Sequence, residues 1–469
     1  MKKIVLMMAM ACAVTAVSAQ EAEEGKYLRP SLYTIMVSTD KLTGSDAENL
    51  VTDAFDRIPI PAKYDDINLS SRHLDLLKIE VTKEEIESAT QKKKGLGGLV
   101  KKGKDLMRKN TSQSEVGKMT DDEKIARIKK FLKDNHVANK LIAKWYNESD
   151  KMVNGSHFNY DRIIDKALYS ASKEERIEAK KKLHGEDDIW TGASLDLISK
   201  TFVMVTAYRY ISYDELAAEI KGGAEIAKQI GFSGIGSLAE LGGDVFGGVS
   251  DGYFITAESY LFQLDWDENK RDMFEKTYWP KVDTKEFYDS DEFSMKFVKM
   301  AKSKVYAGKA FAKSTDERAK KLIYLATQRA TDKSIAKLAS DYDDFRTLSQ
   351  LHFSEDGQFA YAYIGTKEDV KAGDKFHIVQ LKSRKDGRME KSFVKTLGIN
   401  EVLTVAEGKV WDNLREEGYD EELEVPGENK DVDKTAKYTV FNEKPKEAWV
   451  NSMGGFWLEQ STTKREKRK

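Results

Sequence analysis

Apolar and polar positions along this chain alternate in two rhythms, and the period says which element each stretch predicts. Tyr27–Val37 (YLRPSLYTIMV) is rich in β-branched and aromatic residues and reads as a strand, with Pro30 near its start or on an edge. Ile58-Pro-Ile-Pro61 is extended, because each residue before a proline is pushed out of the helical region. Leu74–Val81 reads as a second strand. From Thr82 to Asn110 the pattern turns helical and Lys-rich, interrupted by Gly95-Leu-Gly-Gly98. Thr120-Asp-Asp-Glu123 is a capping box, and the helix it opens sets Ile125, Ile128, Phe131 and Leu132 on one face. Ile163–Ala167 and Ser172–Leu183 read as further helices. Leu197–Ile211 and Ile255–Trp266 return to strand character. Glu268–Trp279 predicts a helix stopped by Pro280. Ser294–Ala312 and Thr315–Leu338, proline-free and poor in glycine, predict two more helices.

Beyond about Leu348 the runs shorten. Phe359–Ile364, Lys375–Leu381, Ser392–Thr396, Glu401–Val405, Tyr438–Phe441 and Phe456–Leu458 read as strands, with Asp386-Gly387 as a hairpin turn. The fold class expected is α+β: a mixed N-terminal and central region with helices, plus a C-terminal small β-barrel or sandwich-like module. The segments follow as a signal peptide over 1–19, an N-terminal α/β region with a Lys-rich insertion over 20–119, and a mixed helical and strand region over 120–345. A β module over 346–460 and a basic tail over 461–469 complete the chain.

The N-terminus sets the expected compartment. Lys2 and Lys3 precede a mostly apolar, uncharged Ile4–Val17, and Val17-Ser18-Ala19 offers a small-residue cleavage site before Gln20. The run is shorter than the roughly 20 residues a spanning helix needs. Cys12, the one cysteine, lies inside this segment. A mature chain without cysteine suits an oxidising envelope and excludes thiol catalysis and Cys-ligated metal. Against 77 Lys and Arg stand 79 Asp and Glu, so no global basic charge is available to hold nucleic acid.

Motifs that carry chemistry are scarce. His73, His136, His157, His184, His352 and His377 are scattered, and no two lie at metal-ligand spacing. His184 precedes Glu186-Asp-Asp188, which reads as a solvated helix end. Gly231-Phe-Ser233-Gly-Ile235 lacks the last glycine of a nucleophile elbow. Gly234-Ile-Gly236-Ser-Leu-Ala239 matches a dinucleotide fingerprint as a string, but a helical stretch precedes it where a strand is needed. Asp265-Trp-Asp267-Glu-Asn269 opens like a calcium loop, yet Lys270 and Lys276 stand where glycine and glutamate belong. That segment reads instead as a strand end capping a helix, and Asp341-Tyr-Asp343-Asp344 as a helix cap. Trp266, Tyr278 and Trp279 read as core. No cofactor and no metal are expected.

Two segments stand out as surfaces. Lys92–Lys109 carries eight basic side chains (Lys92, Lys93, Lys94, Lys101, Lys102, Lys104, Arg108 and Lys109), with Leu96, Leu99, Val100, Leu106 and Met107 among them. Such a stretch reads as a mobile insertion or solvated helix, its glycines interrupting any continuous helix, with contact to an anionic membrane or an acidic partner as the alternative. The second is the segment 221–252, with ten glycines and an uncharged run, Gln229–Ala239, too short to cross a bilayer.

Arg29-Pro-Ser-Leu-Tyr-Thr-Ile-Met36 and Ile58-Pro-Ile-Pro-Ala-Lys-Tyr-Asp65 resemble an uncharacterised family of exported proteins from Gram-negative anaerobes. Leu197–Val205 and Ser259–Trp266 resemble it too. The resemblance implies export and a shared fold, and it carries over no site. The expected function is that of an exported, non-enzymatic cell-envelope protein, periplasmic or outer-membrane-associated, that binds or scaffolds another envelope component. The alternatives are an extracytoplasmic carboxylate-dependent hydrolase and a membrane-associated assembly subunit.

Overall fold

The computed structural model describes residues 27–28, 30–38, 45–58, 60, 64–89, 115–152, 155–167, 194–212, 250–310, 316–346, 348–353, 359–362, 364, 375–383, 389–398, 439–441 and 456–460. In chain order these form β1 (Tyr27–Leu28), β2 (Ser31–Val37), α1 (Ser45–Arg57), β3 (Asp65–Asp66), β4 (His73–Leu74), α2 (Lys83–Ala89), α3 (Glu115–Lys118), α4 (Asp121–Asp134), α5 (Val137–Trp145) and α6 (Asp161–Ala167). There follow β5 (Thr201–Ser212), β6 (Ser250–Leu264), α7 (Glu268–Met273), α8 (Lys285–Tyr288), β7 (Met295–Ala310) and α9 (Asp316–Asp341). The last strands are β8 (Leu348–Phe353), β9 (Ala360–Ala362), β10 (Lys375–Ser383), β11 (Met389–Gly398), β12 (Thr439–Phe441) and β13 (Phe456–Gln460). The α+β class holds.

A central sheet runs in the order β3-β2-β5-β6-β7, with β4 sharing the β3 edge of β2. Its first half is parallel: Ser31–Val37 pairs with Thr201–Ala207. Its second half, β5-β6-β7, is antiparallel. Segments on both sides of residue 120 therefore share one sheet. All seven residues of β2 are buried, because strands flank both its edges and helices cover both faces.

The two faces carry different chemistry. On one, Tyr33, Ile35, Val37, Val203, Val205, Tyr260 and Phe262 pack against Ile125, Ile128 and Leu132 of α4 and Leu141, Ile142 and Trp145 of α5. The Trp145 indole N–H donates to Thr201 Oγ1 at 2.7 Å, so the buried ring has its polar partner. On the other, Met36, Tyr208, Ile255 and Ala257 meet Val51 and Phe55 of α1 and Ile323, Ala326 and Ala330 of α9. Leu32, Phe202, Met204 and Leu261 meet Ile335 and Leu338 further along α9.

The second sheet runs β11-β10-β13-β8-β9-β12, and β1 pairs with β8. Among the described residues it ends in two edge strands and does not close, so the barrel expected from the sequence finds no closure there. β10 and β11 pair in hairpin register, Ser383 opposite Met389. The Asp386-Gly387 turn itself, Ser172–Leu183 and Glu401–Val405 lie outside the described residues.

Two expected elements take another form. Ser294–Ala312 contains a strand, not a helix: β7 pairs with β6 over its whole length, with a bulge opposite Leu261 and Phe262. Its Lys, Met and Ala favour a helix locally, and pairing along β6 with packing against α4 and α9 overrides that preference. The stretch Leu74–Val81 keeps strand pairing only at His73–Leu74. Asp75 then accepts the Leu77 N–H at 3.0 Å and turns the chain into a single 3-10 turn. The helix of Glu268–Trp279 forms but loosens into a π turn over Phe274–Tyr278, closed by Trp279 N–H on the Phe274 carbonyl at 3.0 Å.

Candidate functional site

A cavity of about 460 Å³ opens beside the buried strand β2. Its walls are Tyr33, the 69–71 loop between β3 and β4, Phe131 of α4, one stripe of α5, Arg162 of α6 and Tyr288 of α8. That volume falls in the range of small-molecule sites. Val137, Lys140 and Lys144 line it at helical spacing along α5, followed by Asn147 and Glu148 past its end.

Local sequence explains how α5 is set. Asn135 and His136 separate it from α4, and His136 takes a left-handed conformation (φ 47°) that turns the chain. Asn147 at the other end is also left-handed (φ 45°). These are the two non-glycine residues with positive φ among the described residues, and they bracket the helix that carries both lysines. Left-handed backbone at non-glycine positions costs free energy and concentrates at functional sites.

The cations around the cavity differ in their surroundings. Lys144 Nζ donates to the Asn68 carbonyl at 2.7 Å. Burial holds its ammonium below the usual lysine range, the Arg162 charge adds to this, and Asp66 and Asp65 oppose it. Arg162 reaches Asp65 at 3.0 Å and lies over the Trp145 ring, 5.5 Å from its centroid. Its Nε is buried and donates to nothing among the described residues. Asp65 is held by Arg162, by Lys166 and by the Ser31 hydroxyl. Tyr33 donates its hydroxyl to the Ser71 carbonyl, and burial pushes its pKa up to about 12. Glu148, the cavity's one carboxylate among the described residues, accepts from the Tyr288 hydroxyl.

A second charged cluster lies under α4, and its central pair, Glu258 and Lys124, is closed to solvent. Glu258 on β6 is 4 % exposed and meets Lys124 at 2.6 Å, Lys302 at 3.0 Å and Arg209 at 3.5 Å. Lys302 also reaches Asp121 at 3.3 Å. Burial alone would raise the Glu258 pKa, but Lys124, Lys302 and Arg209 outweigh it and hold the carboxyl well below the usual range. Lys124 is pushed down by burial against the pull of Glu258. The buried Lys124–Glu258 pair makes this cluster a clasp between α4 and the sheet.

The residues singled out in the sequence distribute as follows. Lys92, Lys93, Lys94, Lys101, Lys102, Lys104, Arg108 and Lys109 all lie outside the described residues, as do His184 and Gly231–Ala239. Asp267 caps α7, accepting the Lys270 N–H at 2.9 Å, and Asp265 pairs with Lys296. Asp343 pairs with Arg346 at 3.0 Å. Trp266 and Tyr278 are buried, and Trp279 packs on the same core. His73 meets Asp56 at 3.0 Å on the surface. No three His, Cys, Asp or Glu side chains gather as a metal site among the described residues. No helix among them is long and apolar enough to cross a membrane.

The cavity was not legible in the sequence. Lys140 and Lys144 within VANKLIAKW were its one local trace, two lysines spaced i, i+4 along a mostly apolar helix. No protein-family profile matches this chain, and no curated protein matches it.

Proposed function

We propose that this chain is an exported cell-envelope protein that acts by binding, without catalysing a reaction, and that the cavity beside β2 is where it binds. The observation that carries this reading is the cavity's lining: Lys140, Lys144 and Arg162 against one carboxylate, Glu148, which Tyr288 already engages. A glycosidase of the usual kind uses two carboxylates flanking the bond it breaks, and the described lining offers one. The signal-like N-terminus and the resemblance to exported proteins support a periplasmic or outer-membrane-associated site of action, with another envelope component as partner.

Fractionation of native cells with a carbonate wash, followed by N-terminal sequencing, tests export. The expected product starts at Gln20 and is recovered with the periplasm or the envelope. An uncleaved chain in the cytoplasm would sink the reading. Native mass spectrometry of the purified chain tests binding: a small molecule is expected on the parent and lost from Ser70→Trp, which fills the rim. Equal spectra from both proteins would count against the cavity.

A further inference from the structure

We propose that the occupant of this cavity is a small organic anion, its charged group held by Lys140, Lys144 and Arg162 and its apolar body laid against Leu69, Phe131 and Val137. This rests on the reading of the cavity as a binding site and adds the class of ligand.

Charge is the first argument. Lys140 and Lys144 stand at i and i+4 on α5, where side chains are neighbours and like charges repel. Arg162 adds a third cation to the same walls. Asp65 satisfies part of the Arg162 guanidinium, and the one lining carboxylate is turned to Tyr288. Lys140 has no side-chain partner among the described residues, and the only acceptor of the Lys144 ammonium there is a neutral carbonyl. A concave, partly desolvated site with three lining cations against one carboxylate carries an excess of positive charge and attracts an anion.

The second argument is unspent hydrogen bonding. Of the ammonium N–H groups of Lys140 and Lys144, one is given to the Asn68 carbonyl among the described residues, and a charged donor bonds an anionic oxygen strongly. Ser70, Ser71, Asn135 and Asn147 surround the same space with neutral donors. Shape is the third. Leu69, Phe131, Val137 and Ala143 supply an apolar wall that free phosphate or sulfate would leave uncovered, so an ion with an organic body fits better. Burial and the Arg162 charge lower the Lys144 pKa despite Asp66 and Asp65, so an added anion would favour its charged form. The left-handed backbone at His136 and Asn147 shows the lysine helix held at some cost.

The test uses the full chain from Gln20 and four probes sharing a phenyl body: phenylacetate, phenyl phosphate, phenylacetamide and phenethylamine, followed by ligand-observed NMR. Both anions are expected to bind at least about tenfold more tightly than the amide or the amine, since hydrogen bonds to charged groups are the strong ones. Their ratio tells carboxylate from phosphate. Lys140→Gln, on the exposed side of the helix, and Lys144→Gln are each expected to weaken the anions about tenfold and leave the amide unchanged. Melting curves check that both variants fold. If the amide or amine binds as well as the anions and Ser70→Trp blocks them all, the cavity binds but is not an anion site, and this inference alone fails. If no probe binds, or if anions bind regardless of all three substitutions, the inference fails together with the cavity reading.

Discussion

Glu258 shows how much one buried residue decides here. Its carboxylate faces Lys124 at 2.6 Å with both side chains nearly closed to water. Glu258→Gln leaves that ammonium buried and unpaired, which costs about 3–5 kcal/mol. The carboxyl is held below its ordinary range, so its contribution is complete above the unfolded value of about 4.3 and fades as acid protonates it. Urea denaturation of both proteins is expected to show a constant gap from neutral pH down to about 5, narrowing at more acid pH. A gap that stays flat through pH 3 would contradict this account. Lys144 has the opposite sign. Its pKa is lowered in the folded protein by burial and by Arg162, so at neutral pH its charge opposes folding and stability rises as pH climbs through that lowered value. Lys144→Met is therefore expected to melt no lower than the parent while losing anion binding, the usual conflict between a site and its stability. A clear drop in melting temperature would show that the lysine holds the fold together.

At the scale of elements, α9 is set by small and hydroxylated residues alongside the bulky apolar Ile323, Ile335 and Leu338. Ala326 and Ala330 are fully buried. Thr327 donates to the Ile323 carbonyl at 2.7 Å, Thr331 bonds Tyr208 at 2.6 Å, and Ser334 bonds Ser303 at 2.8 Å. Satisfying these hydroxyls lets the helix lie close on the sheet. Ala330→Leu would force the two apart and is expected to cost about 1–3 kcal/mol in chemical denaturation, and an unchanged midpoint would mean the interface is loose. The two capping boxes also differ. At α2 the box is reciprocal, Thr82 N–H on Glu85 at 2.7 Å and Glu85 N–H on Thr82 at 3.2 Å. At α4 Thr120 caps the Glu123 N–H at 3.1 Å, but the Glu123 carboxylate turns to Arg127 at 3.0 Å, and Arg127 in turn holds the Leu76 carbonyl. A local signal was there diverted to tie α4 to the 3-10 turn.

Across the whole molecule, the two sheets meet where α9 ends. Arg346 bonds the Ala339 carbonyl at 3.2 Å, Asp343 at 3.0 Å and Glu459 of β13 at 3.4 Å, while Tyr64 donates to the Phe345 carbonyl at 3.1 Å. β1 pairs with β8 three residues before β2 enters the central sheet. Arg346→Ala removes the charged bridge, and hydrogen-exchange mass spectrometry is expected to show faster exchange in 375–383 and 456–460 with 201–207 unchanged. Uniform acceleration across both sheets would mean that they unfold as one unit.

The sequence by itself determined the elements whose instructions are local. β2, β5 and β6 follow from their apolar runs, α4 from its cap and its Ile125–Ile128–Leu132 face, and α7 from Asp267. Tertiary structure alone decided β7, whose helix-forming composition yields to pairing along β6 and to packing against α9. It also decided the site. Tyr33, Lys144, Arg162 and Tyr288 lie far apart in the chain and meet only because β2 sits under α5 and beside α6 and α8. Glu258 and Lys124 meet in the same way. Periodicity and caps act over a few residues and so can be read along the chain. A cavity is the space several distant elements leave between them, and no single stretch of sequence encodes it.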